Sequence, residues 1–559
     1  MLRAQARARP DAVVVADADA RLGLAALAGE AQRVARALIA AGLRPGDRVA
    51  LLGPNSAQWA AIAFGVWDAG AVLVPLSSRF RGIEAADLLR RTGTRLLFTT
   101  EHFLDTSFVR LIAEAAGGPA ADDGAPATGG PSAEDPTQDG RPFPGLPELH
   151  RVVLLDAAPG DPAAALPGVA ALAAFTATGA DVAPADAERR ALAVSGDDLA
   201  EVLATSGTTG APKGVLIHHA QLLRGYWDWS AVVGLREGDR YPVIAPFSHG
   251  FGVNAGLLAG VMRAALLLPQ AVFSPERLLR LVERERVTVL AGPPTLFHGL
   301  LDGADAGHDL SSLRVGICGA ASVPPELIRR LLGAGGRAGR TGGGRGGLVR
   351  RMINAYGLIE GTVVSMTRAD DPVDVIAATA GRPMPGVEVR IVDEAGAVLP
   401  AGERGEILVG GYGVMRGYLG DPGGTGSAVD AASLLHTGDI GVLDAAGNLA
   451  VVDRKKDMFI VGGFNAYPAE IEALLLRHPG IAQAAVVPVP DPRLGEVGCA
   501  FVVARAGRRV SPSGLTAWAR EHMSNYKVPR RVVVVDALPT GPTGKTDKPA
   551  LRRRAATGG

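Results

Sequence analysis

Apolar positions in the first part of the chain alternate between helical and strand spacing. Residues 24–43 place their apolar side chains on one helical face and close at a glycine, which predicts a helix. Short apolar runs at 49–52 and 72–76 predict strands, and between them a helix is predicted over 56–68. This strand–helix–strand order is typical of a parallel sheet that is covered by helices.

The pattern changes in the last third of the chain. From about residue 387, short alternating strands separated by turns predict a smaller β-rich subdomain. Beyond residue 454, helices predicted over 468–477 and 512–523 alternate with strands in a compact unit. The chain is therefore predicted to be α/β, with a large N-terminal domain of parallel sheets with covering helices plus the β-rich subdomain, hinged to a small α/β C-terminal domain. The predicted bounds are 1–453 for the N-terminal domain, 454–457 for the hinge and 458–559 for a mobile C-terminal domain.

Two segments interrupt this pattern of elements. Residues from about 117 to 145 are rich in Pro, Gly, Ala and Asp and bury too little apolar surface to offset the entropy of ordering. They are predicted to form a disordered surface insertion. Residues 333–347 read GAGGRAGRTGGGRGG. We interpret them as a flexible Gly/Arg-rich loop, although their arginines leave contact with phosphate or nucleic acid open.

Composition narrows the class of protein further. A chain of 559 residues exceeds one ordinary core, and its 57 basic and 57 acidic side chains give no reason to expect nucleic acid or an anionic membrane as partner. The apolar runs are too short for a membrane span, and the N-terminus lacks the apolar region of a signal peptide. Cys318 and Cys499 both fall in apolar runs, which predicts buried thiols and a cytoplasmic setting.

The densest cluster of small and hydroxyl-bearing residues is at 203–215, which reads LATSGTTGAPKGV. Glycines let backbone amides turn toward an anion, hydroxyls add donors, and Lys213 adds a mobile charge. A Walker-type loop is excluded because Pro212 and Gly214 stand where that motif needs Gly and Ser or Thr. The segment is thus predicted to cradle phosphate. The predicted contacts are Thr205, Ser206, Gly207, Thr208, Thr209, Gly210 and Lys213.

This cradle resembles the phosphate-binding signature of the adenylate-forming superfamily, which includes acyl-CoA synthetases, luciferases and peptide-synthetase adenylation domains. The resemblance covers nearly the whole chain apart from the two insertions. Within the superfamily the chain looks closest to actinobacterial medium-chain and steroid-ring-propanoate CoA ligases. The other segments that carry the resemblance are AYGLIE at 355–360, TGD at 437–439, DRKKD at 453–457, VGGFN at 461–465 and PTGPTGKTDK at 539–548.

For the nucleotide, the resemblance implies that Tyr356, next to Gly357, stacks on adenine and that Glu360 holds Mg2+ through the ATP phosphates. Asp439 would accept both ribose hydroxyls, assisted by Arg454. The sequence departs from the superfamily at one position of this segment. Ile359 stands where a threonine usually contacts a phosphate oxygen.

For catalysis, the resemblance assigns two lysines. Lys456 would be the hinge about which the C-terminal domain turns. Lys545 would bridge the substrate carboxylate and the α-phosphate during adenylation, whereas the nearby Lys548 would have a structural role. The predicted catalytic residues are Lys545, Glu360, Thr205 and Lys213.

For the acid and the thiol, three segments resemble known parts of CoA ligases. PFSHGFG at 246–252 resembles the segment that forms the acyl pocket, although His249 is also compatible with a core histidine. The small residues at 319–322 would form the opposite wall, and the glycines at 462–463 would line a pantetheine channel unless they make a simple β-turn. The predicted pocket and channel residues are Phe247, His249, Gly319, Ala320, Ala321, Gly462, Gly463 and Phe464.

The predicted reaction converts a carboxylic acid and ATP into acyl-AMP and pyrophosphate with Mg2+, and then forms acyl-CoA and AMP with coenzyme A. The acid is expected to lack an α-amine, because the segment at 246–252 has no Asp. Two alternatives remain open: transfer to the phosphopantetheine of an acyl carrier protein, and nucleotide binding without turnover, which Ile359 motivates. A homodimer is compatible with the resemblance.

Overall fold

The computed structural model describes most of the chain. The described residues are 1–117, 143–157, 162–206, 212–292, 294–305, 307–319, 325–333, 347–454, 459–466, 468–505, 507–539, 546 and 548–556.

A mixed sheet lies at the centre of the N-terminal part. Its inner strands are parallel and buried on both faces, as expected for strands covered by helices on both sides. The predicted strands at 49–52 and 72–76 are confirmed and pair with each other in parallel. The strand order is Gly417–Tyr418, Pro212–His218, Leu199–Ser206, Val72–Leu76, Arg48–Leu52, Leu96–Thr99, Arg151–Leu154 and Val169–Ala171.

Two predicted helices pack closely against each other beside this sheet. They span Leu24–Ala40 and Ala57–Asp68, and the Ser56 hydroxyl caps the second by accepting from the Trp59 amide at 3.1 Å. A Cβ at Gly65 would lie 2.6 Å from the Cβ of Val34, so the contact requires glycine at residue 65.

Two further sheets belong to the large unit, and a small hairpin joins His102–Phe103 to Thr106–Ser107. One sheet carries the aromatic segment at 355–360, and the other joins the N-terminus to the segment around residue 268. The first has the order Val289–Gly292, Val315–Gly319, Arg351–Leu358, Thr362–Met366 and Arg382–Pro383. The second has the order Arg240–Val243, Leu266–Pro269, Val13–Ala16 and Arg21–Gly23.

The predicted β-rich subdomain is an antiparallel sheet of the strands Val387–Val392, Gly405–Gly411, Leu435–Leu443 and Leu449–Arg454. Both cysteines are free and buried in strands, as predicted. Further helices of the large unit are Leu2–Ala8, Gly82–Thr92, Phe108–Ala115, Leu172–Ala177, Pro184–Ala193, His219–Val233, Phe251–Leu258 (π-helical), Ala259–Met262, Pro275–Glu285, Pro294–Asp305, Pro325–Leu331, Val373–Ala378 and Pro422–Ala428. Across the described ranges, no helix has the length and apolarity needed to cross a membrane.

The small C-terminal unit has its own sheet and core. Its helices are Pro468–Leu475, Pro512–His522 and Lys548–Ala556, of which the second nearly coincides with the prediction. The strand Ile481–Asp491 pairs antiparallel with Gly495–Ala504 along its full length. The strand order is Phe464–Ala466, Phe459–Val461, Gly495–Ala504 and Ile481–Asp491, with Arg531–Val534 added in parallel to Gly495–Ala504.

Most of the two predicted insertions lies outside the described residues. The predicted end of the first insertion, near residue 145, includes residues that are packed. Phe143 is buried, and the Gly145 amide donates to the Ala116 carbonyl at 2.9 Å. These residues therefore belong to the packed structure, because Phe143 contributes to the core beneath the helix Phe108–Ala115.

The small unit contacts the large unit through a buried ion cluster. The Lys527 ammonium lies 2.7 Å from Glu84 Oε1, on the helix Gly82–Thr92, and 2.5 Å from Glu470 Oε1. The Ser524 amide and hydroxyl also donate to Glu84. One ammonium thus joins a carboxylate of each unit.

Candidate active site

A cavity of about 1870 Å3 lies between the two units. Most segments that the sequence singled out contribute lining residues, including Thr205, Tyr356, Asp439 and Gly462. Its volume exceeds that of a drug-sized ligand site, which leaves room for a nucleotide and a second substrate.

Tyr356 and Asp439 meet at one wall of this cavity. The Tyr356 hydroxyl donates to Asp439 Oδ2 at 2.6 Å, and Asp439 is buried. The Asp439 amide bonds to the Thr437 hydroxyl at 3.1 Å, across a turn in which Gly438 has φ +69°. The turn therefore fixes a carboxylate beside an aromatic ring, an arrangement that suits a ribose diol and a base.

Glu360 and Lys213 lie on either side of Tyr418. The Tyr418 hydroxyl donates to Glu360 Oε1 at 3.1 Å, and the Lys213 ammonium lies 4.5 Å from the centre of the Tyr418 ring. The same ammonium lies 2.9 Å from Asp421 Oδ2. Hydrogen bonding from Lys213 lowers the pKa of Asp421. Lys213 thus reaches the cavity with a carboxylate beside it, and Thr205 faces it across the hairpin.

His249 also lines the cavity. Its ring is open to the cavity but surrounded by protein, and this desolvation lowers its pKa. The Phe251 amide donates to Nδ1 at 3.2 Å, which requires that nitrogen to be unprotonated. The imidazole is therefore neutral at neutral pH.

Phe247 is placed differently from the prediction. Its ring is buried in the core, 5.0 Å from the Trp59 ring, and does not line the cavity within the described part of the chain. Its amide donates to the Asn55 side chain at 2.7 Å, which turns the ring inward. The pocket wall comes from the neighbouring His249 and Gly250 instead.

Gly462 and Gly463 form the tip of a hairpin that lines the cavity. Their φ angles of +56° and +87° fit the two-residue turn that joins the strands Phe459–Val461 and Phe464–Ala466. Phe464 also lines the cavity and stacks on Tyr526, with ring centres 4.9 Å apart. The β-turn and the cavity wall are thus the same feature.

The remaining predicted residues are placed as follows. Gly357 and Gly319 line the cavity, as predicted residues of the nucleotide site and the acyl pocket. Ser206 and Arg454 end their strands. Lys548 pairs with Glu472 of the small unit at 3.0 Å. Outside the described residues are Gly207, Thr208, Thr209, Gly210, Ala320, Ala321, Lys456 and Lys545.

The cavity also has polar residues that the sequence analysis missed. Tyr226 and Asn254 line the cavity among apolar residues, and Tyr418 and Asp421 line it beside Lys213. Asp421 precedes Pro422 and caps a helix by accepting from the Gly424 amide at 2.7 Å, a signal that the sequence carried. Tyr226 and Asn254 carried no such signal, because isolated polar residues in apolar helices fit a core equally well.

Comparisons with known proteins cover nearly the whole chain. Residues 2–419 match the family described as AMP-binding enzyme, and residues 470–545 match the AMP-binding enzyme C-terminal domain.

Two curated relatives and a solved structure are similar over nearly their full length. The 3-[(3aS,4S,7aS)-7a-methyl-1,5-dioxo-octahydro-1H-inden-4-yl]propanoyl:CoA ligase of Rhodococcus jostii (strain RHA1) is 40% identical over 99% of this chain and 97% of its own. Feruloyl-CoA synthase of Amycolatopsis sp is 34% identical over 98% and 97% of the two chains. The structure of the amide bond synthetase McbA from Marinactinospora thermotolerans superposes with a TM-score of 0.76, at 28% identity and 99% coverage of each chain.

Proposed function

Since the chain belongs to the AMP-binding enzyme family, we propose that it is an AMP-forming acyl-CoA synthetase whose acid is a propanoate carried on a bulky ring system. It joins a carboxylic acid to ATP, which gives acyl-AMP and pyrophosphate. The thiol of coenzyme A then attacks the acyl carbon and releases AMP. The observation that carries this proposal is one cavity lined by Tyr356, Asp439, Lys213 and the hairpin tip at 462–463.

The first half-reaction brings two anions together, so it needs fixed positive charge and a held nucleotide. Asp439 and Tyr356 would hold the ribose and base, and Lys213 would leave Asp421 for a phosphate oxygen. Lys545 would supply the second cation between the carboxylate and the α-phosphate. Neither step requires a nucleophilic side chain, because the carboxylate and the thiol are themselves the nucleophiles.

The donor set fits magnesium that is held mainly by the nucleotide. Glu360 supplies a carboxylate in the cavity, and the described residues contain no cluster of three or more metal-ligating side chains. Mg2+ commonly binds through one or two carboxylates together with substrate phosphates. When bound there, it would neutralise phosphate charge, with Glu360 as its protein ligand.

The second half-reaction uses the small unit. The glycines at 462–463 line the cavity without side chains and would leave room there for the pantetheine arm of coenzyme A. We propose that the small unit rotates about Lys456 between the two half-reactions, and that this rotation withdraws Lys545 from the cavity. The cytoplasm, which supplies ATP and coenzyme A, is the proposed compartment.

The proposal of a ring-propanoate substrate rests on the volume of the cavity and on the name of one relative. The cavity has a volume of about 1870 Å3, and the relative from Rhodococcus jostii is named for a hydroindanedione propanoate. Feruloyl-CoA synthase, a less similar relative, is named for an aryl acid. We therefore propose a bulky alicyclic propanoate, rather than an aryl acid, as the substrate.

A panel of acids tests both the reaction and its substrate. Pyrophosphate and acyl-CoA are measured with ATP, Mg2+ and fatty, aryl or polycyclic propanoic acids, with and without coenzyme A. We expect both products with ring propanoates. Turnover restricted to fatty or aryl acids would overturn the substrate class, and pyrophosphate release without coenzyme A consumption would indicate another acceptor.

A lysine pair separates the half-reactions in the same assay. Lys545→Ala should lower the rate of pyrophosphate release by about a hundredfold or more, as loss of a transition-state charge contact does, while acyl-CoA formation from pre-made acyl-AMP persists. Lys548→Ala is the matched control, because that ammonium pairs with Glu472 in the small unit. Equal losses in both half-reactions for Lys545→Ala would contradict its assigned role.

A further inference from the structure

Three polar side chains lie in one contiguous group, two of them at the wall of the cavity. Glu201 and Asn254 are fully or almost fully buried, and Asn254 Nδ2 donates to Glu201 Oε1 at 2.7 Å. The Asn254 side chain also contacts the Tyr226 hydroxyl. The three residues come from separate elements, Leu199–Ser206, Phe251–Leu258 and His219–Val233, so tertiary packing brings them together.

This group of side chains is incomplete where it faces the cavity. Asn254 and Tyr226 line the cavity, and Asn254 Oδ1 has no hydrogen-bond partner among the described residues although Asn254 is only 1% exposed. The Asn254 nitrogen donates to Glu201 Oε1, and that oxygen can accept whether or not Oε2 carries a proton, so Glu201 holds the Asn254 amide with its nitrogen toward Glu201 and Tyr226. The Tyr226 oxygen then accepts from that amide, and its own proton is available for a further acceptor.

Burying a polar atom without a partner destabilises a protein, so an unfilled acceptor and an available donor at a cavity wall point to a ligand. The surrounding lining is apolar and aromatic. The ligand portion that fits is therefore a hydrocarbon ring system with one oxygen at its far end. The apolar residues that line the cavity beside this group are Leu203, Ile217, Leu222 and Trp229.

We propose that Tyr226 and Asn254 form the specificity end of the acyl pocket and hydrogen bond to a ring ketone or hydroxyl of the acid, with Glu201 as a positioning residue for Asn254. This inference rests on the proposed function and adds to it the feature that distinguishes an oxygenated ring acid from its hydrocarbon analogue. The Tyr226 hydroxyl donates to a ketone. A hydroxyl would also donate to Asn254 Oδ1.

The test measures kcat/KM for the hydroindanedione propanoate and for analogues that lack one or both of its ring ketones. Wild-type kcat/KM should favour a ketone acid over its matched deoxy analogue by about tenfold or more, since one unpaired buried donor costs about 1.4 kcal/mol. Tyr226→Phe should remove most of this preference, mainly through KM for the ketone acid. Tyr241→Phe, a buried tyrosine outside the cavity lining, should retain it.

The positioning role of Glu201 is tested by the same ratio of kcat/KM for the ketone acid to kcat/KM for its deoxy analogue. Glu201→Gln keeps an acceptor for the Asn254 amide and should keep the ketone preference, whereas Glu201→Leu should lower it about tenfold. A general structural defect would lower kcat/KM equally for the ketone acid and for its deoxy analogue, and the ratio of the two values would not change. That result for Glu201→Leu would overturn the positioning role.

The outcomes separate this inference from the proposed function. Turnover of all analogues without ketone preference, or an unchanged preference in Tyr226→Phe, would overturn the specificity end and leave the ligase intact. Absence of turnover with every acid, in an otherwise folded wild-type enzyme, would overturn both.

Discussion

At the residue scale, the side chain at position 359 is the clearest departure from the adenylate-forming pattern. Ile359 lines the cavity and packs against the core, between Leu358 and Glu360. Its branched hydrocarbon offers no donor to a phosphate oxygen, so the contact that a threonine would make has to come from elsewhere.

Restoring the hydroxyl tests whether that contact limits adenylation. Ile359→Thr should raise the rate of pyrophosphate release about tenfold, because a hydrogen bond to a charged phosphate contributes about 1.5 kcal/mol. Ile359→Val is the control, since it removes similar volume without adding a donor. An unchanged rate in Ile359→Thr would show that other contacts already compensate.

The buried carboxyl of Glu201 makes stability depend on pH. Burial raises its pKa from 4.5 to about 7, although the Asn254 hydrogen bond opposes the shift. A raised carboxyl pKa stabilises the fold below the unfolded value, and this contribution is lost as pH rises through about 7. Tyr226, which faces the same carboxyl, stays neutral because burial also raises its pKa.

Glu201→Gln should therefore flatten the fall in Tm between pH 5 and pH 8. The expected difference in unfolding free energy is about 3 kcal/mol at most, from 1.36 kcal/mol for each pKa unit. Glu237→Gln is the control, because Glu237 makes an exposed ion pair with Arg9. Parallel pH profiles for wild type and Glu201→Gln would contradict the raised pKa.

At the element scale, the hairpin tip at 462–463 decides how the small unit meets the cavity. Gly463→Ala adds a methyl group at φ +87° in the proposed pantetheine passage. Acyl-CoA formation from pre-made acyl-AMP should fall at least tenfold, with adenylation less affected. Gly447→Ala is the control, since it has φ +78° but open space and no place in the cavity. Equal defects in both variants would assign the loss to backbone strain.

The elements were predicted from sequence where one physical signal dominated. Buried parallel strands such as Val72–Leu76 and the capped helix Ala57–Asp68 had apolar runs of the right length. The strand Pro212–His218 was missed because Pro212 and Gly214 are typical of a loop, and pairing with Leu199–Ser206 outweighs that propensity. The π-helical turn Phe251–Leu258 carries no distinct periodicity in the sequence.

The residues of the candidate site also differ in whether the sequence alone could identify them. Segments whose chemistry is local, such as the turn at 437–439, could be identified from the sequence because backbone and side chain act together. Tyr226, Asn254 and Glu201 could not, because their meaning arises only when three elements meet in the fold. Phe247 was misplaced for the complementary reason: the sequence pattern does not determine which side of a loop faces the core.

At the scale of the whole molecule, Lys527 connects the two units inside a low-dielectric contact. Burial lowers the pKa of Lys527, but Glu84, Glu470 and Tyr526 outweigh this and raise it well above its usual value. Burial is also the largest cause of the raised pKa of Glu470, and Lys527 opposes that rise. The shared ammonium thus stays charged, and the contact is stable only while both carboxyl groups accept from it.

The contact and the hairpin tip belong to one arrangement of the units, in which the tip at 462–463 faces the cavity. Glu84→Gln removes the charge from the large unit while the Lys527–Glu470 pair keeps the small unit intact, so this arrangement should weaken by about 1–2 kcal/mol. Acyl-CoA formation from pre-made acyl-AMP should then slow about tenfold, while pyrophosphate release changes little. Glu114→Gln, which breaks an exposed pair with Arg110, is the control. Equal losses in both half-reactions would mean that the contact maintains the general fold, and no loss in either would mean that the hairpin holds its position without it.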